Sequence, residues 1–219
     1  MSKKKQHHKP SKPIERSLPQ RLIDDLNEVE ALTRRKRWSE ARDNLEQLNR
    51  RYPNRAEVLT FLASVYFELR AMPEYQATLE QLCELGPDDP EFALGLAGAY
   101  AANDRPTLAL RTFRRFLERW PEHAEADKAR EAAVKLGLMV DLIFEDMGLS
   151  GEEGLEFAAL HEQAQVYAEQ QKFVAARRAL DELLRRRPNF APTLNNLSNL
   201  YFAQGQLAPA IEASQQVLA

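Results

Sequence analysis

Apolar residues in this chain recur three and four positions apart, which is the spacing of one face of an α-helix. Within residues 56–70, AEVLTFLASVYFELR, they are Val58, Leu59, Leu62, Val65, Tyr66 and Leu69. A second amphipathic run follows, with Leu79 and Leu82 on its inner side. It stops at Pro87, because proline cannot continue a helix. The pattern predicts two helices that fold back on each other.

The same pattern returns along the chain. Prolines lie at positions 53, 87, 121 and 188, tyrosines at 66, 100, 167 and 201, and alanines at 41, 109, 176 and 210. Successive positions differ by 34, or by 67 across the middle, and Tyr75 stands in the missing alanine place. A small residue three positions before each tyrosine lets two helices approach closely: Ala63, Ala97, Ala164 and Ser198. The sequence therefore predicts an internal repeat of helical hairpins.

These residues resemble the tetratricopeptide repeat, a helical hairpin of 34 residues. The third unit matches that pattern at Leu96, Ala97, Tyr100, Ala109, Phe113 and Pro121. The last unit matches at Leu194, Leu197, Ser198, Tyr201, Gly205 and Ala210, and no unit keeps the family's leading tryptophan. The resemblance implies an all-α fold, a right-handed α-solenoid of antiparallel helix hairpins, and a role in binding other proteins.

The repeat positions divide the chain into four parts. Residues 1–19 are predicted to be a disordered basic tail, 20–123 to hold three repeats, and 157–219 to hold two, the last one truncated. Residues 124–156 are interpreted as a degenerate repeat or as connecting helices, with a first helix that ends at Gly137. Their apolar run, LMVDLIFEDM, either packs between the two halves of the stack, which we favour, or forms a partner-binding patch.

Charge is distributed unevenly. Residues 1–12 carry five lysines and no acid, so the remainder of a chain with net charge -3 carries -8. No apolar run follows these lysines as in a signal peptide, and no stretch has the roughly 18 uncharged apolar residues of a membrane span. The single cysteine, Cys83, fits a reducing compartment, so we expect a cytoplasmic location.

Groups that carry catalysis or bind metals and cofactors are missing from the pattern. There is no glycine-rich phosphate loop, no nucleophile elbow and no cysteine pair for zinc. His7 and His8 lie in the tail, where any metal binding is expected to be weak and adventitious, and neither His123 nor His161 has a histidine in register to share a ligand site. A calcium loop near Asp146 would need ligands where Gly148 and Phe157 stand. We therefore predict no catalytic residue, no cofactor and no metal, and an enzyme is the third hypothesis.

A concave groove is expected if the stack bends as in the resembled family. Residues of the first helices that lie off the packing face are Phe67, Leu94, Gly98, Ala101, His161, Gln165, Asn195, Asn199 and Phe202. The first four form an apolar surface, and the others offer amides for an extended peptide, although any of them could serve packing instead. Some members of the family hold a partner's terminal carboxylate with basic residues here. Glu91 and Gly95 stand in those places, so we do not expect that mode.

Two functions rank ahead of the enzyme hypothesis. The first is a non-catalytic scaffold that binds a protein or an extended peptide in the groove. The alternative is a nucleic-acid-associated protein tethered by its tail, whose lysines could release about four or five counterions. Nucleic acid is not the expected partner, because arginine clusters such as 185–187 lie at helix ends, where cations complement the helix dipole.

The C-terminal helix carries an apolar stripe of Leu207, Ile211, Val217 and Leu218 at helical spacing. We predict that residues 204–219 fray in the isolated chain or pack on a second copy of it. The other interpretation is that this stripe is covered by another partner or by a continuation of the chain in a longer protein.

Overall fold

The computed structural model describes residues 19–217, and over that range it contains eleven α-helices and no β-strand. The helices are α1 (Gln20–Arg34), α2 (Trp38–Arg51), α3 (Ala56–Glu68), α4 (Met72–Leu85), α5 (Pro90–Ala102), α6 (Pro106–Arg119), α7 (Ala126–Met147), α8 (Gly151–Glu169), α9 (Phe173–Arg186), α10 (Ala191–Ala203) and α11 (Leu207–Val217). Most pair as hairpins stacked along one direction. The predicted all-α solenoid of helix hairpins is confirmed, whereas the predicted tail lies outside the described residues except for Pro19.

The turn inside each hairpin is built in the same way. One residue adopts a left-handed conformation with φ between 54° and 71°: Lys36, Arg70, Asp104, Gln171 or Gly205. The next backbone N–H donates to a carbonyl of the last helical turn, as from Arg105 to Tyr100 and from Gln206 to Tyr201, each at 2.9 Å. This closes the end of the first helix. The left-handed positions follow the repeat spacing, so the backbone conformation repeats along with the sequence.

Helix α7 departs from this plan. It runs unbroken through Gly137, so the prediction that a helix ends there is wrong. The repeat spacing places the next left-handed residue at Leu138 when counted forward from Asp104, and at Gly137 when counted back from Gln171, because this unit is one residue short of a period. A single glycine is tolerated inside a helix at a cost of about 1 kcal/mol, and no proline follows before Gly148. The helix continues to Gly148, whose φ is 60°, and the segment holds one long helix rather than a hairpin.

The two sides of α7 have different surroundings. Ala129, Leu136 and Val140 are buried in a cluster shared with α6. Leu138 and Leu142, on the opposite side, are 67% and 65% exposed. Packing therefore accounts for one side of this apolar segment, and the other side remains an exposed apolar stripe.

Successive repeats are joined by hydrogen bonds between tyrosine and glutamate as well as by apolar contacts. Tyr66 donates from its hydroxyl to Glu46 Oε1 at 3.2 Å, and Tyr100 donates to Glu80 Oε1 at 3.1 Å. In both pairs the acid precedes the tyrosine by 20 positions. Gln170, which follows the last residue of α8, also donates from Nε2 to Glu80 Oε2 at 2.8 Å. The tyrosines therefore fill space and fix the position of one hairpin on the next.

Helix α8 joins the second half of the stack to the first by packing on α6. Helix α6 follows Arg105, whose side chain does not cap the helix. The Glu162 carboxylate of α8 instead accepts hydrogen bonds from the backbone N–H groups of Thr107 at 3.2 Å and Leu108 at 2.9 Å. Ion pairs continue the contact: Arg105–Glu169, Arg111–Glu156, Arg115–Glu156 and Arg114–Glu152. A first helix thus follows α6 in the stack, although α7 intervenes in sequence.

Candidate partner-binding groove

A cavity of about 590 Å³ opens between α3 and α5, with α4 as its floor. Its size lies within the roughly 300–1,000 Å³ of pockets that bury most of a small ligand. We call it the α3–α5 cavity. Its aromatic lining residues are Trp38, Phe61, Phe67, Tyr75 and Phe92, its floor includes Leu79 and Leu82, and Gly95 of α5 also lines it.

The cavity results from an exchange of large and small residues between repeats. Phe61 of α3 corresponds to Gly95 of α5, and Ala41 of α2 corresponds to Tyr75 of α4, each 34 positions later. Tyr75 is therefore a large residue at a repeat position that holds alanine in other units, and the missing side chain of Gly95 leaves space for its ring. A Cβ atom added to Gly95 would lie 3.2 Å from the side chain of Leu79 and 3.6 Å from the Tyr75 hydroxyl.

The walls of the cavity are apolar and aromatic. The Phe67 side chain is 46% exposed, and its ring centroid lies 5.4 Å from that of Tyr75 in a tilted arrangement. Burial raises the pKa of Tyr75, so its hydroxyl is uncharged at neutral pH. The guanidinium of Arg70 lies over the Phe67 ring, 5.7 Å from the centroid. Exposed aromatic walls of this kind suit a large apolar side chain.

Two acidic residues, Glu68 and Glu91, are the charged residues of the lining. Glu68 is the last residue of α3, and Glu91 lies in the first turn of α5. The two helices begin successive hairpins and run in the same direction, so these acids lie toward opposite ends of the cavity. His123 Nε2 lies 3.2 Å from Glu91 Oε1, and the Glu91 side chain is 72% exposed.

The four groove residues predicted in the first half have different environments. Phe67 lines the cavity. Leu94 is half-buried and packs against the core beneath α5 and α6. Gly98 and Ala101 are exposed farther along α5, and a Cβ at Gly98 would meet nothing within 4 Å. These two residues extend an open surface beyond the cavity.

Two residues predicted in the second half are engaged by the fold. His161 Nε2 lies 3.0 Å from Asn196 Nδ2. Burial lowers the pKa of His161, so its ring is neutral at neutral pH. The Gln165 Oε1 atom accepts a hydrogen bond from Arg105 Nη1 at 3.2 Å. Both side chains therefore have intramolecular partners, which a peptide would have to replace.

The remaining predicted residues, Asn195, Asn199 and Phe202, are exposed on α10. Their spacing of four and three places them on one face of that helix. They form a strip of amides ending in an aromatic ring, separate from the α3–α5 cavity. The structure therefore distributes the nine predicted residues over several surfaces and includes only Phe67 in the cavity lining.

Sequence reasoning missed most of the cavity. Trp38, Phe92 and Glu68 are not among the predicted residues. Glu91 and Gly95 were named only because they stand where some family members carry carboxylate-binding basic residues. The signal that could have revealed the cavity is the exchange between aligned repeats, in which Gly95 follows Phe61. A glycine in the place of a phenylalanine, together with a tyrosine in the place of an alanine, indicates that packing at this point differs from that in the other repeats.

Other kinds of site find little support in the part of the chain that the structure describes. Within residues 19–217 no three His, Cys, Asp or Glu side chains are grouped so as to hold a metal ion. Burial, aided by Asp89, Glu80 and Glu84, raises the pKa of Cys83 to about 11, so its thiol is protonated at neutral pH. His7 and His8 lie outside the described residues. The described helices also include none with the length and apolarity to cross a membrane.

Stacked hairpins with an open groove define a helical-repeat protein. The family model for the tetratricopeptide repeat matches residues 26–90, 70–124 and 161–219. These ranges include most of the chain, so the chain belongs to the tetratricopeptide repeat family. The resemblance is confirmed, and the part without a match contains α7. Among curated proteins no match is found.

Several solved structures resemble the chain at low sequence identity. MamA (residues 41 to the end) from Desulfovibrio magneticus RS-1 is 13% identical with a TM-score of 0.46, covering 92% of this chain and 96% of that one. YrrB, described as a TPR protein with an unusual peptide-binding site, is 14% identical with a TM-score of 0.43, covering 90% and 84%. PilW, a type IV pilus biogenesis factor, is 16% identical with a TM-score of 0.41, covering 91% and 77%. At these values the likenesses carry no functional information.

Proposed function

We propose that this protein is a non-catalytic scaffold that binds a partner protein, or an extended segment of one, in its groove. The observation that carries the proposal is the open α3–α5 cavity of about 590 Å³, with its aromatic walls. Aromatic side chains gathered in a pocket are typical of the residues that dominate binding energy in protein interfaces. Membership of a helical-repeat family supports the proposal, because stacked repeats present extended binding surfaces.

The proposed groove continues beyond the cavity. Gly98 and Ala101 leave the rest of α5 free of bulky side chains, so a bound segment would meet little obstruction there. On α10, Asn195 and Asn199 are exposed amides that can bond to a peptide backbone, with Phe202 beside them. We propose these as a second contact surface for the same partner or for another part of it.

A groove variant with a matched control tests this function. Ser64 is an exposed residue of the cavity lining, so Ser64→Trp should fill the cavity without disturbing the core. Glu118→Trp adds the same side chain on an exposed position of α6 that does not line the cavity. Proteins that co-purify with the wild type should be lost with Ser64→Trp and retained with Glu118→Trp. Their loss with Asn199→Ala and Phe202→Ala would extend the groove to α10.

The outcome against the proposal is a full set of co-purifying proteins with Ser64→Trp and with the α10 variants. Circular dichroism and thermal unfolding of each variant provide the folding control. Retained partners on a folded, cavity-filled protein would show that the groove is not the binding surface.

The nucleic-acid alternative receives less support from the described residues. Several clustered arginines are paired with acids: Arg34 with Glu30, Arg114 with Glu152, Arg115 with Glu156, and Arg186 with Glu182. Compensated charges of this kind make a weak phosphate-binding surface. Titration of RNA at two salt concentrations, with and without residues 1–12, separates the two functions. We also propose a cytoplasmic location, with which the unpaired Cys83 is compatible.

A further inference from the structure

We infer, on the basis of the proposed function, that the α3–α5 cavity takes a large apolar side chain from a partner segment with lysine or arginine on either side of it. The shape and the apolar lining of the cavity indicate the large apolar side chain. The positions of Glu68 and Glu91 indicate the basic residues on either side of it.

The apolar anchor follows from the walls of the cavity. Phe61, Phe67 and Phe92 contribute ring surface, and Leu79 and Tyr75, which pack closely on Gly95, add apolar surface between them. A short or polar side chain would leave those rings in contact with water. Burial of apolar area contributes roughly 25 cal/mol per Å², so a Phe, Leu, Met or Trp side chain gains most from this position.

The basic residues on either side of the anchor are inferred from the charge of the cavity lining. Glu68 and Glu91 line the cavity, and no lysine or arginine does. Both acids are exposed and so can reach a ligand. Two basic side chains lie beside lining residues: His123 next to one oxygen of Glu91, and Arg70 over the Phe67 ring. A partner carboxylate would meet acids on both sides, whereas a partner cation would meet complementary charge and aromatic faces.

The spacing of these basic residues is inferred from the lengths of α3 and α5. Helices α3 and α5 have 13 residues each, which is about 20 Å at 1.5 Å per residue. Glu68 and Glu91, toward opposite ends, are therefore roughly 15 Å apart along the groove. An extended chain advances about 3.3 Å per residue. The basic residues should then lie about two or three positions before and after the anchor.

Selection from a random peptide library displayed on phage tests the inference on the full chain. The wild type should enrich peptides with one large apolar residue and a lysine or arginine two or three positions away on each side. The Ser64→Trp variant, with its cavity filled, should enrich none of them. Affinities of the enriched peptides, measured by fluorescence anisotropy, should fall as salt is raised.

Charge reversal provides the matched comparison. The double variant Glu68→Lys with Glu91→Lys should bind the enriched peptides about tenfold or more weakly, because two ion pairs are replaced by repulsion. The control is Glu131→Lys with Glu145→Lys, which makes the same charge change on exposed positions of α7. That control should retain wild-type affinity.

The outcomes separate the inference from the function on which it rests. Peptides that require an open cavity but lack basic residues would leave groove binding intact and overturn the inference. So would peptides rich in acids, or affinities that the Glu68 and Glu91 reversal does not change. If the wild type enriches nothing beyond what Ser64→Trp enriches, the proposed function fails together with the inference.

Discussion

The Glu162 carboxylate of α8 accepts a hydrogen bond from the backbone N–H of Leu108 in α6, with 2.9 Å between Oε2 and N, across a separation of 54 residues. Thr107 donates a second bond to the same carboxylate. The first N–H groups of a helix have no partner within the helix, and a negative charge there is favoured by the helix dipole. A residue of the second half of the stack thus completes a helix of the first half.

Removal of this cap should destabilise the junction. Glu162→Ala leaves two partly buried N–H groups without an acceptor, and we expect a loss of about 1–2 kcal/mol in the free energy of unfolding. Amide hydrogen exchange at Leu108 should become faster at the same time. Glu169→Ala, which removes an exposed partner of Arg105, is the control and should cost about 0–1 kcal/mol. Equal losses in the two variants, with unchanged exchange at Leu108, would contradict a capping role.

The same residue predicts a pH dependence. Burial raises the pKa of Glu162, and its hydrogen bonds to Leu108 and Thr107 and the nearby Arg105 oppose this without cancelling it. The folded state therefore favours the protonated carboxyl. This contribution to stability is fully present below the pKa of the unfolded chain and is lost as pH rises through the folded pKa.

Glu162→Gln cannot titrate and isolates that contribution. Its stability relative to the wild type should rise as pH increases from about 4 through the raised pKa, and then become constant. Urea unfolding of both proteins at a series of pH values measures the difference. A wild type that gains stability over Glu162→Gln in the same range would show that the hydrogen bonds, rather than burial, dominate.

The left-handed residue of the hairpin turn can be exchanged between two equivalent positions to measure its effect on stability. Gln171 and Gly205 occupy the same repeat position with φ of 57° and 71°. Because glycine adopts this conformation without steric cost, Gln171→Gly should stabilise the protein by about 1 kcal/mol. Gly205→Gln should destabilise it by a similar amount. Thermal unfolding checks both, and changes of the same sign would show that other contacts of these residues dominate.

Glycines at the middle and the end of α7 should respond oppositely to alanine. Gly137 is helical, and a Cβ there would have no neighbour within 4 Å, so Gly137→Ala should stabilise by roughly 0.5–1 kcal/mol. Gly148 has φ of 60° at the C-cap, so Gly148→Ala should destabilise. Chemical unfolding measures both changes. A destabilising Gly137→Ala would mean that α7 bends or breaks at Gly137 in solution.

The exposed outer side of α11 should either mediate self-association or let this helix fray in the isolated chain. Leu207 and Ile211 are each 58% exposed, as predicted, whereas Leu218 lies outside the described residues. Full burial of such side chains gains about 1.5–3 kcal/mol each. Analytical ultracentrifugation should detect a dimer that Ile211→Lys abolishes. Leu138→Lys, an equally exposed position on α7, is the control and should leave the dimer intact. A monomer with slow amide exchange throughout α11 would contradict this prediction.

Much of the fold could be predicted because it depends on local spacing. Buried Tyr66 and Tyr100, the small residues Ala41 and Ala109, and the prolines after the second helices all follow one period. Each residue acts within its own hairpin or on the next one. The same local reasoning failed at α7, because a glycine at a turn position does not by itself end a helix.

The candidate site was less predictable, because it depends on how side chains from different repeats fill shared space. Phe67 was found from its position on the helix face. The cavity beside it needs Tyr75 to occupy an alanine place and Gly95 to lack a side chain, two changes on helices that meet only in the folded stack. Periodicity shows which residues face the groove but not how much room they leave.

The amino-acid sequence by itself therefore determined the hairpins, their turns and their order, since these follow from helix periodicity, proline and small residues at fixed intervals. Only the tertiary structure decided that α7 is continuous, that α8 packs on α6, and that Glu162 caps a helix distant in sequence. The last two features depend on contacts between helices distant in sequence: α7 and α8 both pack on α6, and the start of α6, which has no capping side chain of its own, finds its acceptor in Glu162. Contacts of this kind are absent from any single repeat.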